Sequence, residues 1–176
     1  MGAPKLLLVY EGKSLLEHAI HKANHLTDSV RVVVGAYKDL YTVEAEKAGA
    51  SVIYNPTWQE GLGSSLRTGV AALKEGVELA LVLLADQPFV DTLHIGKLIK
   101  TQRETAADLV FSEYDSTKGP PIVMAKTMFE AARKLKGSCG AKALIGKGTK
   151  LVLVKLEAFE DIDTPDDVKK LKKKQS

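Results

Sequence analysis

Asp86 lies in Leu83-Leu84-Ala85-Asp86-Gln87-Pro88, directly after the most apolar run of the chain. In open α/β sheets, ligands gather outside the carboxyl ends of strands. A carboxylate there, with Gln87-Pro88 turning the chain away, suits magnesium, a hard cation that takes oxygen ligands. An aspartate also caps turns, and the residues alone leave both readings open. A second acidic group is Asp161-Ile162-Asp163-Thr164-Pro165-Asp166-Asp167. Thr164 suits a helix N-cap, Pro165 the first helical position, and Asp166 and Asp167 the positive helix end. Asp161 and Asp163 are left over. In an extended segment they project to one side, an arrangement that needs water or a cation. Asp163, nearer the turn, is the expected second magnesium ligand.

Two further stretches invite a ligand. Asn55-Pro56-Thr57-Trp58-Gln59-Glu60-Gly61-Leu62-Gly63-Ser64-Ser65-Leu66 combines glycines, which let backbone approach a ligand, with serines at a helix start. Ser64 also reads as an ordinary N-cap. Leu66 stands where a dinucleotide fingerprint needs its third glycine. Gly119-Pro120-Pro121 reads as a rigid turn before a short strand, or as the wall of a substrate pocket. His18, His21 and His25 share one side of a helix at about 100° per residue. The apolar residues of that helix lie on nearly the opposite side, so the histidines mark its wet face.

These residues need a scaffold, and the hydrophobic pattern supplies one. Ser14 caps a predicted helix over Leu15 to Leu26. Val30 to Val34 reads as a buried strand, 38 to 48 as a helix, Ser51 to Tyr54 as a strand and Ser65 to Leu73 as a helix. Leu79 to Ala85 reads as a central strand. Asp91 caps a helix running to Arg103, Asp108 to Ser112 is a strand, and Ile122 to Met124 another. A helix over Lys126 to Leu135, a strand over Thr149 to Leu156 and a helix from Thr164 complete the pattern. Alternating β and α units predict a single α/β domain over residues 1–176, with a mostly parallel sheet and helices on both faces.

Composition narrows the class. The chain has 176 residues, 45% hydrophobic and 27% charged, which suits one globular domain. Its net charge is +3, and Lys169, Lys170, Lys172, Lys173 and Lys174 account for more than that. Without them the remainder is slightly acidic, so no nucleic-acid-binding face is indicated. Cys139 is the only cysteine, which excludes an internal disulfide. No apolar run has the length of a membrane span, the N-terminus lacks a cleavage site, and Leu6 breaks a myristoylation pattern. A cytoplasmic setting is expected.

Taken together, Met1-Gly2-Ala3-Pro4-Lys5-Leu6-Leu7, the NP-x-W-x-x-GLGSSL stretch, the LADQP turn, GPP at 119 to 121 and DIDTPDD resemble the molybdenum cofactor cytidylyltransferase group of the MobA-like nucleotidyltransferases. The resemblance covers essentially the whole chain. It implies a glycosyltransferase-A-like, nucleotide-binding sheet. Gly2 and Lys5 match the end of the family's signature loop, whose lysine contacts triphosphate. Asp86 matches the magnesium aspartate and Asp163 the residue that often completes the metal site. Gly61, Ser64 and Ser65 match the loop near base and ribose, and Gly119 and Pro120 the turn near the acceptor. The family's first strand and its L-A-A-G-x-S-x-R segment would precede Met1. The expectation is therefore an N-terminally incomplete domain with an apolar slot in its sheet.

The chemistry so implied is attack of an acceptor on the α-phosphorus of a nucleoside triphosphate with release of pyrophosphate, Lys5, Asp86 and Asp163 acting as the catalytic set. The resemblance points to magnesium, CTP and the molybdopterin cofactor, with a molybdoenzyme or its chaperone as a protein partner. Two alternatives are a guanylyl- or other nucleotidyltransferase with a different small acceptor, and a non-catalytic nucleotide- or cofactor-binding protein.

Overall fold

Ser14-Leu15-Leu16-Glu17 has the form of a capping box, and it starts the first long helix. In the computed structural model, described for residues 4–114 and 117–156, the Ser14 hydroxyl accepts a hydrogen bond from the Glu17 amide at 3.1 Å. Helix α1 runs over Leu15–Asn24 and buries Leu15, Leu16, Ile20 and Ala23. Before it, Val9–Tyr10 (β1) and Lys13–Ser14 (β2) form a small antiparallel hairpin. Its turn places Glu11 at φ 47° and Gly12 at φ 78°, the positive pair of a type I′ two-residue hairpin turn. The histidine face of α1 is polar: His21 meets Glu17 at 3.2 Å, and His18 meets the Tyr10 carbonyl at 2.7 Å.

Two sheets follow. Arg31–Val34 (β3) and Ser51–Tyr54 (β4) pair in parallel, joined by helix α2 over Lys38–Lys47. Helix α3, Leu62–Ala71, leads to Leu79–Val82 (β5). Helix α4, Thr92–Thr105, is capped by the Asp91 side chain, which accepts from the His94 amide at 2.6 Å. Then come Leu109–Tyr114 (β6) and Thr117–Ala125 (β7), a short helix α5 over Phe129–Ala132, and Leu151–Lys155 (β8). The second sheet has the order β5-β7-β6-β8.

The α/β class expected from the sequence is observed, but the pairing is mixed. β3 with β4 and β6 with β8 are parallel, whereas β5 with β7 and β6 with β7 are antiparallel. The reason lies in β7. Gly119-Pro120-Pro121 does not precede a short strand; it lies inside a nine-residue one. The register shifts between Phe111 and Ser112, so that Phe111 faces Ile122 while Ser112 faces Gly119. Prolines cannot donate to a ladder and are accommodated at such irregularities. Only two residues separate β7 from β6, and the two strands pair antiparallel, which so short a connection permits.

Alternation divides the core. Leu109, Phe111, Ile122 and Met124, each at most 2% exposed, meet α3 and α5 on one face. Val110 and Val123 meet Leu98 of α4 on the other. A separate cluster joins Leu16 and Ile20 of α1 to Val34 and to Tyr41 and Ala45 of α2. Among the described residues, β3 pairs only with β4 and β5 only with β7. The expected central strand at Leu79 is thus an edge of its sheet there, and its residues Leu79 to Val82 are all half-buried. The expected helix at Lys126 to Leu135 is shorter, a 3₁₀ turn followed by α5. The expected helix from Thr164 lies outside the described residues.

Candidate active site

Asp86 occupies the turn that follows β5. Its carboxylate receives the ammonium of Lys5, 81 positions earlier, at 2.9 Å, with both side chains a little over a quarter exposed. Lys5 reaches it from a 3₁₀ turn over Lys5–Leu7. Leu6 and Leu7 of that turn pack against the Val34 and Tyr41 cluster, as does Ala85, the neighbour of Asp86. The apolar neighbours on each side therefore hold the cation and the carboxylate at one spot. Two of the residues expected at the site are thereby brought together. Gly2 and Asp163 lie outside the described residues.

The rest of the LADQP turn is anchored from below. Lys22 of α1 donates to the Pro88 carbonyl. Burial pushes the Lys22 ammonium below its usual range, and the charge of Asp91 opposes that. Gln87 is 6% exposed, and its Oε1 is the buried side-chain polar atom without a hydrogen-bond partner among the described residues. It borders a cavity of about 10 Å³ shared with Leu83, Leu84 and Pro121, room for about one water. Pro121, which follows the expected acceptor wall Gly119-Pro120, thus packs beside the Asp86 turn. Its carbonyl accepts from the Ser112 hydroxyl at 2.9 Å, and Ser112 lies 2.8 Å from His94 Nε2. Because the serine proton goes to Pro121, Ser112 accepts from an Nε2–H of His94. Burial pushes the His94 imidazole below its usual range, with Asp91 opposing and Lys97 reinforcing. Gly119 lies where an added Cβ would come within 2.0 Å of the Tyr114 hydroxyl.

The glycine-serine stretch is organised around a residue that the sequence reading passed over. Asn55 is fully buried. Its amide nitrogen donates to Ser64 at 2.8 Å and Ser65 at 3.1 Å, and its oxygen accepts from the Thr57 amide and hydroxyl, each at 3.1 Å. Ser64 is also fully buried, its hydroxyl within reach of the Thr57 and Gly61 carbonyls. Gly61, at φ 105°, lies where a Cβ would sit 2.9 Å from Ser138 Cα, and Gly63 where one would sit 2.5 Å from the Gly137 carbonyl. These glycines admit the protein's own 137–138 backbone. Arg67 secures the loop by donating to the Leu135 carbonyl at 2.6 Å and to Glu60 at 3.1 Å. The available signal for Asn55 was its place between the last strand residue, Tyr54, and Pro56.

With this geometry in view, comparison with known proteins assigns the chain. The model of the MobA-like NTP transferase domain matches residues 1–152. The chain belongs to that family. It is a nucleotidyltransferase-class enzyme of glycosyltransferase-A-like fold. It is 30% identical over 175 residues to nicotine blue oxidoreductase of Paenarthrobacter nicotinovorans, covering 94% of this chain and 83% of the relative. It is 27% identical over 171 residues to molybdenum cofactor cytidylyltransferase of Escherichia coli, covering 95% of this chain and 86% of the relative. In structure it resembles Rv0371c of Mycobacterium tuberculosis, with a TM-score of 0.81 at 23% identity, covering 97% of this chain and 89% of that one. A structure of Rv0371c in complex with manganese superposes with a TM-score of 0.79. Among the described residues of the present chain, no helix is long and apolar enough to cross a membrane, and no group of three or more histidine, cysteine, aspartate or glutamate residues could hold a metal ion.

Proposed function

We propose that this member of the family transfers CMP from CTP to a molybdopterin-type acceptor and releases pyrophosphate. The observation that carries the reading is the Lys5–Asp86 pair at the carboxyl end of β5. Similarity to the cytidylyltransferase over 95% of this chain supports the choice of nucleotide and acceptor.

The donor set fits magnesium in its usual protein setting. That ion uses one or two carboxylates, keeps several waters and takes the remaining oxygens from phosphates; Asp86 offers one hard carboxylate that is partly open to water. Asp163 is the proposed second ligand. Magnesium, when bound, neutralises charge on phosphate oxygens. The chain's own part is positioning and electrostatics. The Lys5 ammonium and the Asp86 carboxylate neutralise each other. Arrival of a triphosphate gives Lys5 a phosphate oxygen as an alternative partner and frees the carboxylate. Lys5 then offsets negative charge on the departing pyrophosphate. An oxygen of the acceptor's phosphate bonds to the α-phosphorus, the bond to the bridging oxygen breaks, and any acceptor proton passes to solvent. The wall built by β7 and His94 keeps Pro121 against the Asp86 turn.

Pyrophosphate release with each triphosphate, magnesium and a molybdopterin acceptor tests the reading. CTP should lead; dominance of GTP would transfer the assignment to guanylyl transfer, and absence of release with every triphosphate would sink it. The similarity to nicotine blue oxidoreductase favours one second reading, a redox activity on the same scaffold. Consumption of a reduced nicotinamide cofactor with an aromatic acceptor would establish that reading in its place.

A further inference from the structure

A second concave surface opens at the carboxyl ends of β3 and β4, with a volume of about 460 Å³. That is within the range of small-molecule sites, roughly 300–1,000 Å³. Its lining includes Tyr37, Lys38, Leu40, Tyr54 and Trp58. Tyr37, Leu40 and Tyr54 are 39%, 50% and 48% exposed, which gathers three exposed large apolar side chains at one spot. None of these residues belongs to the Lys5–Asp86 pair or to the Gly61, Ser64 and Ser65 set expected near base and ribose.

The geometry is built rather than incidental. Tyr37 caps α2 in the left-handed region, at φ 54° and ψ 32°. A bulky residue is rare there, and such outliers concentrate at ligand sites. Gly35 lies where a Cβ would come within 2.4 Å of Trp58 Cβ, so only glycine lets the Trp58 side chain lie against the β3 end. Lys38 extends over the Tyr54 ring, its ammonium 5.0 Å from the centroid, a cation–π contact that holds the charge at the wall. Tyr37 meets Tyr41 edge to face at 6.1 Å. Tyr41 packs in one cluster with Leu6, the neighbour of Lys5, and with Ala85, the neighbour of Asp86. The surface therefore lies across Tyr41 from the Lys5–Asp86 pair.

We infer that this surface binds a planar heteroaromatic ring carrying an anionic group. The ring stacks on the exposed aromatic faces, and the anion meets Lys38. Asp39 discourages a cationic ring. The inference rests on the proposed nucleotidyl transfer only for the source of the ring, which would be the nucleobase or a heteroaromatic acceptor.

Trp58 is the only tryptophan of the chain, so its fluorescence reports on the site in the intact protein. The probes are CMP and GMP for the nucleobase source, pterin-6-carboxylate for the acceptor source, and pyrophosphate as an anion without a ring. Saturable quenching by a ring-bearing anion, absent with pyrophosphate, is expected. Quenching by the nucleotides alone identifies the base as occupant, by the pterin alone the acceptor, and by both a site that reads only the ring and its charge. Tyr54→Ala and Lys38→Ala should each weaken binding by about tenfold, and Tyr54→Phe should preserve it, with circular dichroism confirming that each variant folds. Asp86→Asn should leave quenching intact even where it removes pyrophosphate release, so the two readings fail separately. No saturable quenching by any ring-bearing anion up to millimolar concentration, equal quenching by pyrophosphate, or undiminished binding in folded Tyr54→Ala would overturn the inference.

Discussion

Replacing Asp86 with asparagine separates a structural role from a chemical one, because the two roles carry different magnitudes. The Lys5 ammonium and Asp86 carboxylate are 2.9 Å apart. At an effective dielectric constant of about 20, Coulomb's law puts their gross attraction at about 6 kcal/mol. Desolvation and the ordering of two side chains offset most of this, and comparable partly exposed pairs are worth about 1 kcal/mol or less. Asparagine keeps the shape and an acceptor oxygen for Lys5, so unfolding free energy should fall by no more than about 1 kcal/mol. The chemical role is larger. On the proposed reaction, an amide offers a divalent cation an oxygen but no charge and so holds it less firmly than a carboxylate; turnover should fall at least about 1,000-fold, or about 4 kcal/mol of barrier. Urea unfolding and pyrophosphate release on the same preparation supply both numbers. Turnover within about tenfold of the parent, under about 1.4 kcal/mol, would make Asp86 a turn residue paired with a lysine and remove it from the chemistry.

Three other outcomes follow from the packing. His94 has a pKa held below its ordinary value by burial, so the unfolded chain binds the extra proton first as pH falls; stability should be full above about pH 6.5 and decline below it. The urea midpoint of His94→Gln, whose amide still reaches Ser112 but does not titrate, should lose most of that slope, and an unchanged slope would remove His94 as its source. Asn55→Ala deletes the fully buried hub of the Thr57, Ser64 and Ser65 contacts and should cost about 2–4 kcal/mol by urea unfolding; a loss below about 1 kcal/mol would mean that water replaces it. Gly63→Ala should destabilise by about 1–3 kcal/mol despite alanine's higher helix propensity, because the new methyl would meet the Gly137 carbonyl at 2.5 Å; thermal melting at or above the parent's would show that the 137 loop yields freely.

Local signals in the sequence reported local structure well. Ser14 and Asp91 cap helices as expected, accepting from the Glu17 and His94 amides, since an N-cap is decided within four residues. Ser51 to Tyr54 is a strand with the expected bounds. Pairing direction was less legible. Pro120 and Pro121 read as a turn because proline ordinarily ends a strand, yet the register shift opposite Phe111 absorbs them and lets β7 continue to Ala125. Taking β7 as short hid its antiparallel contacts with both β5 and β6. The hairpin at Tyr10-Glu11-Gly12-Lys13 was equally hidden, its strands being two residues each.

At the site, the sequence identified groups with chemical potential more readily than it identified what those groups face. Gly61, Gly63 and Ser64 have the composition of a ligand loop, but Gly63 admits the Gly137 carbonyl and Ser64 is sealed against Asn55. A glycine needed for close approach looks the same in sequence whether the approaching atom belongs to a substrate or to the protein. Lys5 and Asp86 present the converse. Their separation of 81 positions conceals a pair that only the packing of Leu6, Leu7 and Ala85 on the Val34 cluster brings together. A partly buried carboxylate gains from a nearby cation, and the chain supplies one from its own lysine. A lysine so placed orients the carboxylate, and on the proposed reaction its contact with Asp86 is the one a phosphate-bound cation would displace. On that proposal the same contact both stabilises the protein and sets the competition that an incoming metal–nucleotide would have to win.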